Sequence, residues 1–250
     1  MNNTNSEIAY ESWLKWASFF LLSAKGIAYL LYPENFLDSS FLNTTYLGVP
    51  LLLAACLLHA PNWSLKQFTA YLSFTILFLD NCNSFYLSSF LPHQFIEHTL
   101  MMFTPLLYLV VLKQGLEKNL RKLMLAVSLT FVGHGAFAVS WNHIPSHFSA
   151  MTQFILGLEG VYIKSFLLTM GILDFLAAIF IFTQKAKGPA LMYMVVWGVL
   201  TSLARFVYGF EADLIKGVLG TLYRFPHFIV PLVLYTDYYF KRRSHSSSLL

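Results

Sequence analysis

Eight apolar stretches run through this chain, at roughly 13–32, 46–59, 66–87, 94–112, 121–141, 160–183, 189–209 and 223–240. Each approaches the ~20 residues that carry a helix across the hydrocarbon core of a bilayer. That pattern excludes most folds at once. Only 11% of the residues are charged, against about 25% in a soluble domain, and the mean hydropathy is +0.60. Too little polar surface is present to cover a water-facing globule, and the short joints leave no room for a separate soluble domain. The expected fold is all-α, a polytopic membrane bundle of eight transmembrane helices in contact with a lipid bilayer. Prolines 33, 61, 92 and 145, with Gly188 and Pro189, mark the breaks.

Charge sets the expected orientation. Ten basic residues (Lys66, Lys113, Lys118, Arg121, Lys122, Lys185, Lys187, Lys241, Arg242 and Arg243) fall on one side of the eight stretches. Three (Lys164, Lys216 and Arg224) fall on the other, with Asp38, Glu211 and Asp213. The positive-inside rule then places both termini in the cytoplasm of a multi-pass integral membrane protein. The net charge of +4 reports orientation and gives no reason to expect a nucleic-acid partner. The polar, acidic start lacks the basic region and cleavage site of a signal peptide, so a retained first span is expected from Trp13. Trp13, Trp16, Trp141 and Tyr235, Tyr238 and Tyr239 read as interfacial anchors. Cys56 and Cys82 read as buried thiols. The stretch 142–160 reads either as an amphipathic helix along the interface or as an irregular loop. His143 and His147 would share a helical face there, but Pro145 argues against a regular helix.

The last four stretches echo the first four. Ser23-Ala24-Lys25-Gly26 matches Val132-Gly133-His134-Gly135, and Gly48 to Ala55 matches Gly171 to Ala178 with identical spacing of Gly and Ala-Ala. Asn83 to Tyr86 matches Arg205 to Tyr208, and Pro105 matches Pro231. The expected organisation is two four-helix units, 1–117 and 118–250, inserted in the same sense about an axis along the membrane normal. The matched small residues would let the helices approach closely.

Gly133-His134-Gly135, the Gly-Ile-Leu-Asp-Phe-Leu-Ala-Ala run over 171–178 and Phe225-Pro226-His227 together resemble the DoxX-like membrane proteins. The resemblance is better over 121–241 than over 12–113, where Lys25 stands in place of the histidine and Leu51 in place of Asp174. It implies a four-helix unit used twice. It also implies a role linked to quinone-dependent sulfur oxidation or to redox partners in the membrane.

Ionisable side chains in hydrocarbon cost about 2.5–3.5 kcal/mol on insertion scales and usually face a bundle interior or wet cavity. Most of those here fall in one half of the membrane, the half expected to face outward. His134, Asp174 and Arg205 are the candidate catalytic group, with His134 as proton carrier and the other two holding the electrostatics. Lys25, Asp80, Asn83, Glu97, His98 and His227 are candidate ligand-binding residues. Plainer roles stand beside these: a buried imidazole for His134, an Asp174–Arg205 ion pair, Lys25 paired with Asp80 or Glu97, and solvated interfacial positions for Glu97, His98 and His227. A metal held by His98, His134 and His227 with a carboxylate meets the count but has no ligand spacing behind it. No zinc-protease, nucleophile-elbow or phosphate-loop pattern is present. The expected function is a redox role handling a quinone or a small sulfur or oxygen species, with a membrane redox protein as partner. The alternatives are binding or transport of a small lipophilic ligand or solute, and a structural subunit of a membrane complex.

Overall fold

The computed structural model describes residues 3–36, 39–139 and 144–247. The expectations placed on Asp38, Trp141 and His143 lie outside them. Among the described residues the chain is helical except for one short ribbon and its loops. Helix α1 (Asn3–Leu31) leads into the antiparallel ribbon of β1 (Asn35–Phe36) and β2 (Ser39–Asn43). Then come α2 (Thr45–Leu57), α3 (Trp63–Leu87), α4 (Pro92–Glu97) and α5 (Thr99–Gln114). A 3-10 turn (Glu117–Asn119) opens α6 (Leu120–Ala138), which is followed by α7 (Ser146–Leu156), α8 (Val161–Phe180), α9 (Lys187–Gly209), α10 (Leu214–Leu222) and α11 (Pro226–Ser247).

Among the described residues five segments are long and apolar enough to cross a membrane: Ala9–Leu31, Pro92–Gln114, Val161–Phe180, Lys187–Gly209 and Leu214–Arg242. Helix α2 is apolar but has 13 residues. Asp80, Asn81 and Asn83 dilute α3, and Arg121 and Lys122 dilute α6. The distribution of side chains is inverted relative to a soluble protein. Ile172, Ile179, Leu200 and Leu203 face outward at 48%, 61%, 52% and 47% exposure, while Glu97, Asp174 and His227 lie inside at 4%, 2% and 2%. Such a surface needs an apolar solvent, so the chain is a multi-pass membrane protein. Cys56 belongs to that outer face and Cys82 is half-buried, which corrects the expectation of two buried thiols.

Two helix crossings share one geometry. A Cβ added at Gly26 on α1 would stand 2.9 Å from the Gly48 carbonyl oxygen on α2, and one at Gly48 would stand 2.9 Å from the Gly26 oxygen. A Cβ at Gly135 on α6 would meet the Gly171 oxygen of α8 at 2.9 Å, and one at Gly171 the Gly135 oxygen at 2.9 Å. Only glycine permits backbones this close. The remaining packing is also matched, and exchanged between halves: α1 touches α5, α10 and α11, while α6 touches α11, α4 and α5.

Two crossing segments are broken where the sequence suggested continuous helix. The stretch expected over 94–112 begins at Pro92 and is interrupted at His98, whose φ of −84° and ψ of 0° end α4. The orphaned N–H of Leu100 donates to Thr130 Oγ1 at 2.9 Å. The last stretch, expected from 223, begins at Leu214, breaks over Tyr223 to Phe225 and resumes at Pro226. Pro105 and Pro231 are 126 residues apart, and adding 126 to His98 gives Arg224, so the breaks fall at matched positions. Asp213 starts α10 by accepting the Lys216 N–H at 3.0 Å, which draws into helix residues that read as a polar joint.

The segment after α6 is a helix and not an irregular loop. Pro145 precedes its first residue, where a missing N–H costs nothing, and Gly157 closes it in the left-handed region at φ +63°.

Candidate functional site

Both helix breaks deliver charge to one place. Glu97 ends α4 against α6, where a Cβ at Gly133 would strike the Glu97 backbone nitrogen and stand 2.6 Å from its Cα. Arg224 sits in the second break, and its Nη2 donates to Glu97 Oε1 at 3.1 Å. From α6, His134 Nε2 lies 3.6 Å from the same carboxylate oxygen and 3.3 Å from Arg224 Nη1. The His227 ring stands edge-on to His134 with centroids 5.3 Å apart. Among the described residues neither ring nitrogen of His227 has a hydrogen-bond partner, nor has Arg224 Nε. Buried polar atoms of this kind are ordinarily satisfied. Glu97 and His227 were expected at a solvated interface. The breaks turn them inward instead, because a charge at the end of a helix segment inside the membrane must be met by protein.

Beside this lies a second pair. Lys25 Nζ of α1 donates to Asp80 Oδ2 of α3 at 2.8 Å. Of the two partners the sequence offered Lys25, the structure selects Asp80. The Tyr29 and Tyr223 rings each lie 5.3 Å from Lys25 Nζ, and Tyr223 is 5.5 Å from the Arg224 guanidinium carbon. Tyr223 thus lies between the two ion pairs. His98 is held by the side chain of Asn81 at 3.1 Å and the carbonyl of Gln94 at 3.0 Å, so it does not join His134 and His227. Among the described residues no three His, Cys, Asp or Glu side chains are placed to hold a metal ion.

A cavity of about 660 Å³ has walls that include Lys25, Asp80, Glu97, His98, Arg205 and Arg224. Its lining reaches Tyr32 and Ser88, just past the ends of α1 and α3, and Lys216 of α10. At the mouth the Tyr32 hydroxyl donates to Asp213 Oδ1 at 3.1 Å. Outside the spans, the backbone N–H of Lys216 holds the Asp213 carboxyl below the usual carboxylate range.

A second pocket of about 470 Å³ lies between α6, α7, α8 and α9. Met151, Ile155, Phe166, Trp197 and Leu203 give it apolar walls, and His134, Asp174 and Arg205 bring the ionisable groups. All three side chains singled out as catalytic candidates therefore border one groove. The expected Asp174–Arg205 ion pair is not formed. Asp174 accepts from the Tyr193 hydroxyl at 2.7 Å, and Arg205 Nη1 donates to the Thr201 carbonyl one turn back at 2.7 Å. Arg205 and Phe148 belong to both hollows. Asn83 is buried on α3, and neither it nor His227 lines either hollow.

Sequence reasoning passed over Tyr193, Tyr223 and Arg224. Arg224 had a signal, a charge two residues before Pro226 within an apolar run. Tyr193 had none beyond its place in the repeat. Comparison with protein-family models, curated proteins and solved structures finds no match, so the chemistry of the two hollows carries the functional reading.

Proposed function

We propose that the protein takes a small lipophilic molecule from the bilayer into the groove between α6, α7, α8 and α9 and turns its polar end toward the water-open cavity. The observation that carries this reading is the shared wall: Arg205 and Phe148 border both hollows. An apolar pocket with a few convergent polar groups is the usual form of a small-molecule site. Broken membrane helices with charge at the breaks are the usual form of a site near mid-bilayer. Exposed Leu200, Leu203 and Val207 line the groove and place its side opening at the lipid-facing surface. The test is a mass-spectrometric inventory of molecules retained by the purified protein. A retained amphiphile lost on narrowing the groove by Ala204→Phe is the expected result; an empty protein in every membrane mimetic would end the reading.

A redox version has one observation in its favour. His134 borders the groove and stands 3.6 Å from Glu97, which borders the cavity, so a proton could pass from water toward a bound quinone head. This is the role that the DoxX-like resemblance implies, with a membrane redox protein as partner. It requires a quinone in the same inventory, and a quinone-free extract removes it.

The architecture belongs to the proposal as eight spans in two fused units with both termini cytoplasmic. The reciprocal Gly26–Gly48 and Gly135–Gly171 crossings, the matched breaks and the exchanged packing support it. Single cysteines introduced at Lys118 and Lys185 of a cysteine-free protein should react only with reagent on the side of the termini. Labelling of Lys118→Cys and Lys185→Cys from opposite sides would refute it.

A further inference from the structure

We infer that the ligand is a single-chain amphiphile with a monoanionic carboxylate head, bound with the head on Arg205 and the chain in the groove. The inference rests on the groove being a ligand site. It is carried by the charge arrangement where the hollows meet. Among the described residues the cavity lining holds the cations Lys25, Arg205, Lys216 and Arg224 and the carboxylates Glu34, Asp80 and Glu97, with Asp213 beside Lys216 at the mouth. Two of those carboxylates are committed, Asp80 to Lys25 and Glu97 to Arg224. Arg205 is different. Its Nη1 donates to a backbone carbonyl, Tyr223 and the Glu97 charge lie near enough to act on it, and among the described residues no carboxylate lies within 4 Å of it. Asp174, the one acidic group of the groove, is engaged by Tyr193.

An arginine within a membrane is normally matched by an anion, and its planar fork suits a carboxylate. Arg205, without a carboxylate of its own, thus stands where an amphiphile's head would lie if its chain filled the groove. A volume of about 470 Å³ is within the range of sites for one small molecule. A neutral head of the same length would gain the apolar contacts but leave Arg205 unmatched.

Trp197 lines the groove and supplies the readout. Full-length protein in nanodiscs is titrated with chain-brominated dodecanoic acid and, separately, with the equally brominated dodecanol, following tryptophan quenching. Trp197→Phe identifies the component that belongs to the groove. The carboxylate should quench Trp197 with at least about tenfold tighter affinity than the alcohol, the lower end of what a charge-assisted bond contributes. Arg205→Gln should erase that preference while the alcohol still binds, and Arg205→Lys, which keeps the charge without the fork, should retain part of it. Equal quenching by acid and alcohol in the unaltered protein overturns the carboxylate assignment and leaves the groove as a site for neutral lipophiles. A preference that survives both substitutions overturns the placement of the head on Arg205. Quenching of Trp197 by neither probe overturns the groove as a ligand site and this inference with it. Should Arg205→Gln fail to give folded protein, Arg205→Lys and the acid–alcohol ratio decide the matter.

Discussion

The two four-helix units proposed above resemble each other in how their helices cross and differ in the side chains those helices carry. In each, the first helix crosses the second through a pair of glycines, and in each the last crossing segment is broken at an equivalent point. At the matched positions the first half carries Lys25, Leu51 and Asn83 where the second carries His134, Asp174 and Arg205. Lys25 is closed off by Asp80 within its own half. His134 instead meets Glu97 from the other half and Arg224 from the second break. Between the first two long helices the first half has a short ribbon, whereas the second has α7, which walls the groove. Backbone geometry follows the spacing of small residues, and the chemistry follows a few substitutions onto it.

The comparison breaks most readily at Glu97. Its carboxylate faces Arg224 and His134, all of them nearly buried, so Glu97→Leu leaves a cation unmatched in the membrane and should cost about 3–5 kcal/mol. Reversible unfolding in detergent or by steric trapping measures this, and a loss below 1 kcal/mol would show that the breaks are not held by charge. The glycine crossings come next. Gly26→Val and Gly135→Val each force a side chain to within 2.9 Å of a neighbouring backbone oxygen, and both should cost about 2–3 kcal/mol. Similar losses sharpen the equivalence of the halves; a tolerant Gly26 with an intolerant Gly135 breaks it. Asp80→Asn should cost less than Glu97→Leu, on the order of 1–2 kcal/mol, because its pair keeps 15–18% of its side-chain surface exposed. Adding Lys25→Met should restore most of that loss.

The smallest effect concerns the entry to each broken segment. Helix α10 is capped by the Asp213 carboxylate, while α4 has Leu91 at that position, without a side-chain cap, and relies on Pro92. The Asp213 carboxyl titrates below the ordinary carboxylate range, chiefly because it accepts the Lys216 N–H. Its contribution is therefore complete above the ordinary range and lost as pH falls through the depressed value. Asp213→Ala should lower the melting temperature slightly at neutral pH and not at all in strong acid, as thermal melts across pH will show. A change at neutral pH that persists in acid would mean that the Tyr32 contact, and not the ionised cap, holds the mouth.

Much of the molecule could be read from residue order. Scarcity of charge required a membrane solvent and helices, and the Gly and Ala-Ala spacing pointed to close helix approach, while the pairs that use it, α1–α2 and α6–α8, came from the structure. The stranded ionisable residues pointed to an interior site, and His134, Asp174 and Arg205 do border one groove. The breaks at His98 and Arg224 left no mark on hydropathy, because a few non-helical residues barely alter an apolar run. What tolerates them is a distant group such as Thr130, which takes up the freed Leu100 N–H. Nor could sequence choose Tyr193 over Arg205 as the partner of Asp174. Both lie on α9, twelve residues apart, and which of them meets Asp174 depends on how α9 is set against α8.

Residue order therefore determined the solvent, the helical class and the chemical groups to be sheltered, since each depends on composition and local spacing alone. Tertiary structure decided which charges neutralise one another. Ion pairing depends on a few ångströms between helices remote in sequence. That distance is set by where backbones touch and where they break.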